Sequence, residues 1–197
     1  MTTRTTLLAL ALTAISSIAS AQDKAPKAAA PVTAKPAAEA PKPAAMEAPK
    51  PAAENDMFKK WVGTWRCDGT GKGPDGKDMK FKTTWAWKSV LGGHWYTIDY
   101  KRAKSGPMPA FEGNATVGYN GADKKYSFIG FDSAGGWINL SGADGMSYAG
   151  EGVPMGKKAA VKIAFAKGKD PKGQESDKMI DVSLDLGGQM VSESCKK

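Results

Sequence analysis

The sequence predicts an all-β domain in which about ten antiparallel strands follow one another as an up-and-down meander and close into a barrel. Three observations predict it. Apolar and polar residues alternate with a period of two through most of residues 61–195. Glycine pairs and Asn-Gly or Asp-Gly steps interrupt that alternation at short intervals. No stretch after residue 62 keeps apolar residues at helical spacing for more than a turn. Tight turns between successive strands favour a meander over a Greek-key sandwich.

The N-terminus has the pattern of a secretory signal peptide over residues 1–21. Arg4 precedes an apolar, small-residue run from Leu7 to Ala19, and Ala19-Ser20-Ala21 supplies the small residues that cleavage requires. Cleavage after Ala21 would begin the mature chain at Gln22 in the periplasm or outside the cell. The apolar run is too short to span a bilayer, and no cysteine at the cleavage point offers a lipid attachment site, so no transmembrane anchor is expected.

Residues 22–54 are almost wholly Ala, Pro, Lys and Glu, with repeated steps such as Ala25-Pro26-Lys27 and Ala48-Pro49-Lys50. Proline removes backbone donors and biases its predecessor toward extended conformations, while alanine brings little burial energy against the entropy of ordering. A disordered, polyproline-like linker is expected, its lysines free to make weak electrostatic contact with an anionic envelope.

Residues 55–197 form the barrel domain and hold all 6 tryptophans. Asn55 to Lys60, polar apart from Met57 and Phe58, reads as one helical turn capping an open end. The clearest strand is Met79 to Val90. It sets Lys80, Lys82 and Lys88 on one face, and Phe81, Thr83, Trp85 and Trp87 on the other. The same alternation marks Trp61 to Thr70, His94 to Arg102, Ala110 to Tyr119, Lys124 to Phe131 and Trp137 to Ser141. It continues at Met146 to Glu151, Lys158 to Ala166, Met179 to Leu186 and Gln189 to Cys195. Gly92-Gly93, Asn120-Gly121, Gly135-Gly136, Asp144-Gly145 and Gly187-Gly188 are the hairpin signals between them.

Two cysteines lie in the first and last of these strands, Cys67 and Cys195. An oxidising compartment and an even count make a disulfide the expectation, and a closed meander makes those two strands neighbours.

Composition and motifs exclude several function classes. The domain carries 22 basic and 16 acidic side chains, and its lysines are scattered singly rather than gathered on one face, which argues against nucleic acid as a partner. There is no G-x-S-x-G elbow and no C-x-x-C, and a single histidine is too few for a zinc site, so neither a catalytic set nor a metal set is predicted. Gly71-Lys72-Gly73-Pro74-Asp75-Gly76 matches G-x-G-x-x-G, but it leads into a strand with no helix to receive a phosphate, so it reads as a hairpin loop. Asp99, Asp132, Asp181, Asp185 and Glu193 read as solvent-facing strand residues.

The string Trp61-Val62-Gly63-Thr64-Trp65-Arg66-Cys67-Asp68-Gly69 carries a resemblance, as do Leu91-Gly92-Gly93-His94-Trp95-Tyr96, Val117-Gly118-Tyr119-Asn120 and Phe131-Asp132-Ser133. Over most of residues 58–197 the chain resembles the bacterial family catalogued as domain of unknown function 1579. That resemblance implies a lipocalin-like, calycin-type β-barrel and no particular activity. Nitrobindin-type haem barrels share the G-T-W opening strand and the strand number. They hold haem through a histidine in a late strand, whereas no histidine follows His94 here.

The functional expectation is therefore an interior cavity that binds a small hydrophobic molecule. Its candidate lining is aromatic: Phe81, Trp85, Trp87, Tyr96, Tyr100, Tyr126, Phe128 and Trp137, with His94 near one mouth as a polar contact. No cofactor is predicted. The alternatives are a non-catalytic envelope structural or interaction module, and, behind it, a haem-binding barrel that uses His94.

Overall fold

A computed structural model describes residues 48–73, 76–106 and 108–197. The expected signal peptide, its cleavage after Ala21 and nearly all of the expected linker lie outside the described residues.

Ten strands form a closed antiparallel barrel in which each strand pairs with its sequence neighbours and the last pairs with the first. They are β1 (Gly63–Lys72), β2 (Asp78–Val90), β3 (Trp95–Arg102), β4 (Phe111–Asn120) and β5 (Lys125–Asp132). β6 (Trp137–Gly142), β7 (Ser147–Gly152), β8 (Ala159–Lys169), β9 (Glu175–Leu186) and β10 (Met190–Lys196) complete the sheet. Closure leaves no unpaired edge, which is how an all-β domain avoids templating aggregation.

The period-two pattern sorts side chains as the sequence suggests. On β2, Phe81, Thr83, Trp85 and Trp87 are buried while Lys82 and Lys88 stand outside. Cross-strand pairing carries that parity around the barrel, because directly opposed residues share a face. Thus Trp85 pairs with Tyr100, Tyr100 with Gly113, Val117 with Phe128 and Phe128 with Leu140. Among the described residues no helix is long and apolar enough to cross a membrane.

Cys67 and Cys195 are direct partners across the β1–β10 seam and form a disulfide. Both are buried and point inward, so the bond clips the barrel shut from within. Gly69, two residues along the same face, lies where a Cβ would collide with the Phe81 ring; glycine is what lets that ring lie across β1.

One end of the barrel is stoppered. The helical segment predicted at Asn55 to Lys60 is a 3-10 helix spanning Ala53–Trp61, and it buries Asn55, Phe58 and Trp61. With three residues per turn those side chains stack on one side, which suits a sequence whose inward groups recur every third position. Phe58 packs on Trp61, Trp87, Tyr96 and Tyr126 at ring distances of 5.4–6.2 Å. Asn55 ties the segment to the rim: its amide donates to the His94 carbonyl at 2.9 Å, and its side-chain oxygen accepts from the Tyr119 N–H at 2.8 Å. Trp65 Nε1 donates to the Trp61 carbonyl at 2.7 Å, and the Tyr126 hydroxyl donates to the Glu54 carbonyl at 3.2 Å. The fold therefore reaches back past the expected boundary at Asn55, because backbone carbonyls of residues assigned to the linker, Pro49 and Glu54, are partners of barrel side chains.

Candidate ligand cavity and its polar floor

At the opposite end the barrel is open. The end of β3 at Arg102, the start of β4 at Phe111 and the β5–β6, β7–β8 and β9–β10 ends surround a mouth that leads into a cavity of about 210 Å³. Its size follows from the small inward residues of the neighbouring strands: Gly113 and Ala115 on β4 and Gly130 on β5 line it where the plugged end has rings. Aliphatic walls come from Ile98, Ile163, Leu184 and Leu186, and the rim from Phe111, Phe131, Trp137 and Pro154.

The floor is polar. Glu193, 2% exposed, sits between β1 and β9 with its carboxylate turned inward. Three donors hold it: Thr83 Oγ1 at 2.6 Å and Trp85 Nε1 at 2.7 Å on one oxygen, and the Tyr100 hydroxyl at 3.2 Å on the other. Burial pushes its carboxyl above the ordinary carboxylate range, with those hydrogen bonds and the charge of Arg102 opposing the rise. Burial, then the charge of Glu193, pushes the Tyr100 phenol far up, so Tyr100 stays protonated and able to donate.

Arg102 lines the same cavity one step nearer the mouth. Its guanidinium lies 5.7 Å from the Phe81 ring centre and 5.2 Å from that of Phe111, a cation–π arrangement on two sides. Its Nε is buried and has no hydrogen-bond partner among the described residues.

The predicted lining divides cleanly. Phe81, Trp85, Tyr100, Phe128 and Trp137 do line the cavity. Trp87, Tyr96 and Tyr126 face the interior but pack against Phe58 in the stopper. His94 is corrected: it lies neither on a strand nor beside the cavity. Leu91, Gly92 and Gly93 turn the chain with φ of 51°, 67° and 94°, His94 follows in an α-like conformation, and strand alternation resumes only at Trp95. The His94 ring instead lies at the plugged end, Nε2 3.0 Å from the Pro49 carbonyl oxygen. A group bound in the cavity is thus out of its reach.

Glu193 also departs from the solvent-facing role read for it. It lies two residues from Cys195, so the inward disulfide fixes its parity; the doublet Glu193, Cys195 carried that signal. Arg102 shares the parity of Tyr96, Ile98 and Tyr100, although a charged residue at a strand end is usually solvated. Glu193, Cys67 and Cys195 place their ligand-type atoms within 4.8 Å of one another, but both sulfurs are spent in the disulfide.

The fold is similar to that of a solved structure, Rv2717c from M. tuberculosis. The two share 9% sequence identity over 75% of this chain and 99% of the other, with a TM-score of 0.50. At that identity the likeness concerns the fold alone. Comparison with curated proteins finds no match. The model of a family described as "Protein of unknown function (DUF1579)" matches residues 50–183, and the chain belongs to that family.

Proposed function

We propose that this protein is an exported, non-catalytic barrel that binds a small hydrophobic molecule in its interior. The observation that carries the reading is the asymmetry of the interior: one end is filled by Phe58 and Trp61, and the other holds an apolar cavity of about 210 Å³ opening to solvent. A core built only for stability gains nothing from such a space, because interiors normally pack densely and voids cost stability. Apolar walls with a few convergent polar groups are the usual composition of a small-molecule site. Export through the signal peptide, with the Ala/Pro/Lys-rich segment ahead of the stopper as tether, is supported by the buried Cys67–Cys195 disulfide, which an oxidising compartment would maintain.

Native mass spectrometry of the protein purified from the periplasm of an expressing cell, alongside an Ala115→Leu variant, tests this. Ala115 lines the cavity, so the larger side chain intrudes into it. The expected result is a non-covalent adduct on the wild type that is absent from the variant. A wild type without adduct, and without amide chemical-shift changes at cavity residues on titration with 1-octanol, would defeat the reading.

A further inference from the structure

The cavity holds two ionic groups of opposite sign that do not pair. Among the described residues no ion pair or hydrogen bond joins Arg102 to Glu193, and the acceptor oxygens of Glu193 already take three donors from Thr83, Trp85 and Tyr100. Arg102 is the reverse case. The rings of Phe81 and Phe111 hold its guanidinium in place, yet its buried Nε–H meets no acceptor. A guanidinium stays charged at every accessible pH, and a buried donor left unpaired is rare in folded proteins. Asp132, also in the lining, makes no ion pair or hydrogen bond with it among the described residues, and its Oδ1 accepts the backbone N–H groups of Ala134 and Gly136 in its own turn.

We infer that the molecule bound in the cavity is amphipathic, an apolar body ending in a singly charged oxyanion such as a carboxylate, whose head pairs with Arg102. This rests on the cavity-binding reading above. The placement fits the walls: the head lies at the level of Arg102, Phe81 and Phe111, and the body lies against Ile98, Phe128 and Ile163. A single charge is favoured over a doubly charged head because Glu193 lines the same space and would repel the second charge. A planar guanidinium also suits the two oxygens of a carboxylate, and charge-assisted bonds of that kind are stronger than neutral ones.

Octanoate and 1-octanol, which share a chain and differ in the head, separate the two ideas when titrated into the full mature protein below their aggregation limits. Calorimetry and the fluorescence of Trp85 and Trp137 report binding. The expected result is that octanoate binds at least about tenfold more tightly than octanol. In Arg102→Gln that preference should vanish while octanol binding persists; Arg102→Lys, which keeps charge but loses the fork, should retain part of it. Equal binding of both probes to the wild type, or a preference that survives in Arg102→Gln, overturns the oxyanion inference and leaves the cavity reading standing. If neither probe binds, both fall. Should Arg102→Gln not fold, the wild-type ratio together with Arg102→Lys decides.

Discussion

The two ends of the barrel are built from the same strands with the same alternation, yet one is a core and the other a cavity. Toward the helical stopper the inward positions are Trp87 on β2, Tyr96 on β3 and Phe165 on β8, each in ring contact with Phe58 or Trp61. Toward the mouth the same faces of β4 and β5 present Gly113, Ala115 and Gly130. Parity decides which residues point inward, and side-chain volume decides whether they meet. A barrel of this strand number is wide enough for either outcome, so the helical segment is what converts one half into a packed interior.

Both ends of the barrel depend on the β1–β10 seam. Cys67 and Cys195 are 128 residues apart in sequence, and on the chain-entropy account their bond contributes about 5 kcal/mol. The Cys67→Ala/Cys195→Ala double variant should therefore lose stability of that order in urea unfolding, and lose it from both ends together if the barrel unfolds in one step. Separate transitions for the stoppered and open halves would show that the halves are independent.

The next largest effect distinguishes the ends directly. Phe58→Ala removes a ring with 0% exposure from the stopper and should cost about 3–5 kcal/mol, while Phe111→Ala at the half-exposed rim should cost about 1 kcal/mol. Equal losses would mean that the rim is packed as tightly as the stopper. Asn55→Ala, which leaves the His94 carbonyl and the Tyr119 N–H without their partner, should cost about 2 kcal/mol, read by the same denaturation series.

Titration sharpens the contrast further. Glu193 has a carboxyl raised in the folded state, so the folded protein holds its proton more tightly than the unfolded chain. Its contribution is fully present below the ordinary value of 4.5 and is lost as pH rises through the raised folded value. In Glu193→Gln the side-chain oxygen can still accept from Thr83 and Trp85 while the Tyr100 hydroxyl turns acceptor, so the fold should survive. Chemical denaturation across that window should show less decline with pH than in the wild type; an unchanged slope would mean that another group titrates there. On the outer face the sign reverses and the size shrinks. Asp99 is lowered by hydrogen bonds from Lys88 and then Asn114, so its contribution is lost as pH falls through the depressed value. Since the pair is well exposed, Asp99→Asn should change stability by no more than about 0.5 kcal/mol.

Legibility differed in the same way between fold and site. Strand number, order and closure could be read because alternation and glycine-rich turns are local signals, each spanning a few residues. The aromatic residues of the interior were legible as a set, but not their division between stopper and cavity, since that depends on Phe58, which precedes the first strand and reaches Trp87, Tyr96 and Tyr126 only in three dimensions. Glu193 and Arg102 were hidden by their charge: residue type argued for solvent, and parity argued for the interior. His94 is the opposite case, because the backbone of the turn before it resets the alternation that its neighbours on β3 follow.

The inward position of the disulfide has a kinetic consequence. Thiol–disulfide exchange needs a thiolate to reach a sulfur in line, and Cys67 and Cys195 are 3% and 2% exposed behind a continuous sheet. The Glu193 carboxylate lies within 4.8 Å of both sulfurs, and its charge would disfavour an approaching thiolate. A reductant in the surrounding medium must therefore wait for the barrel to open, and the lifetime of the bond becomes the lifetime of the closed sheet.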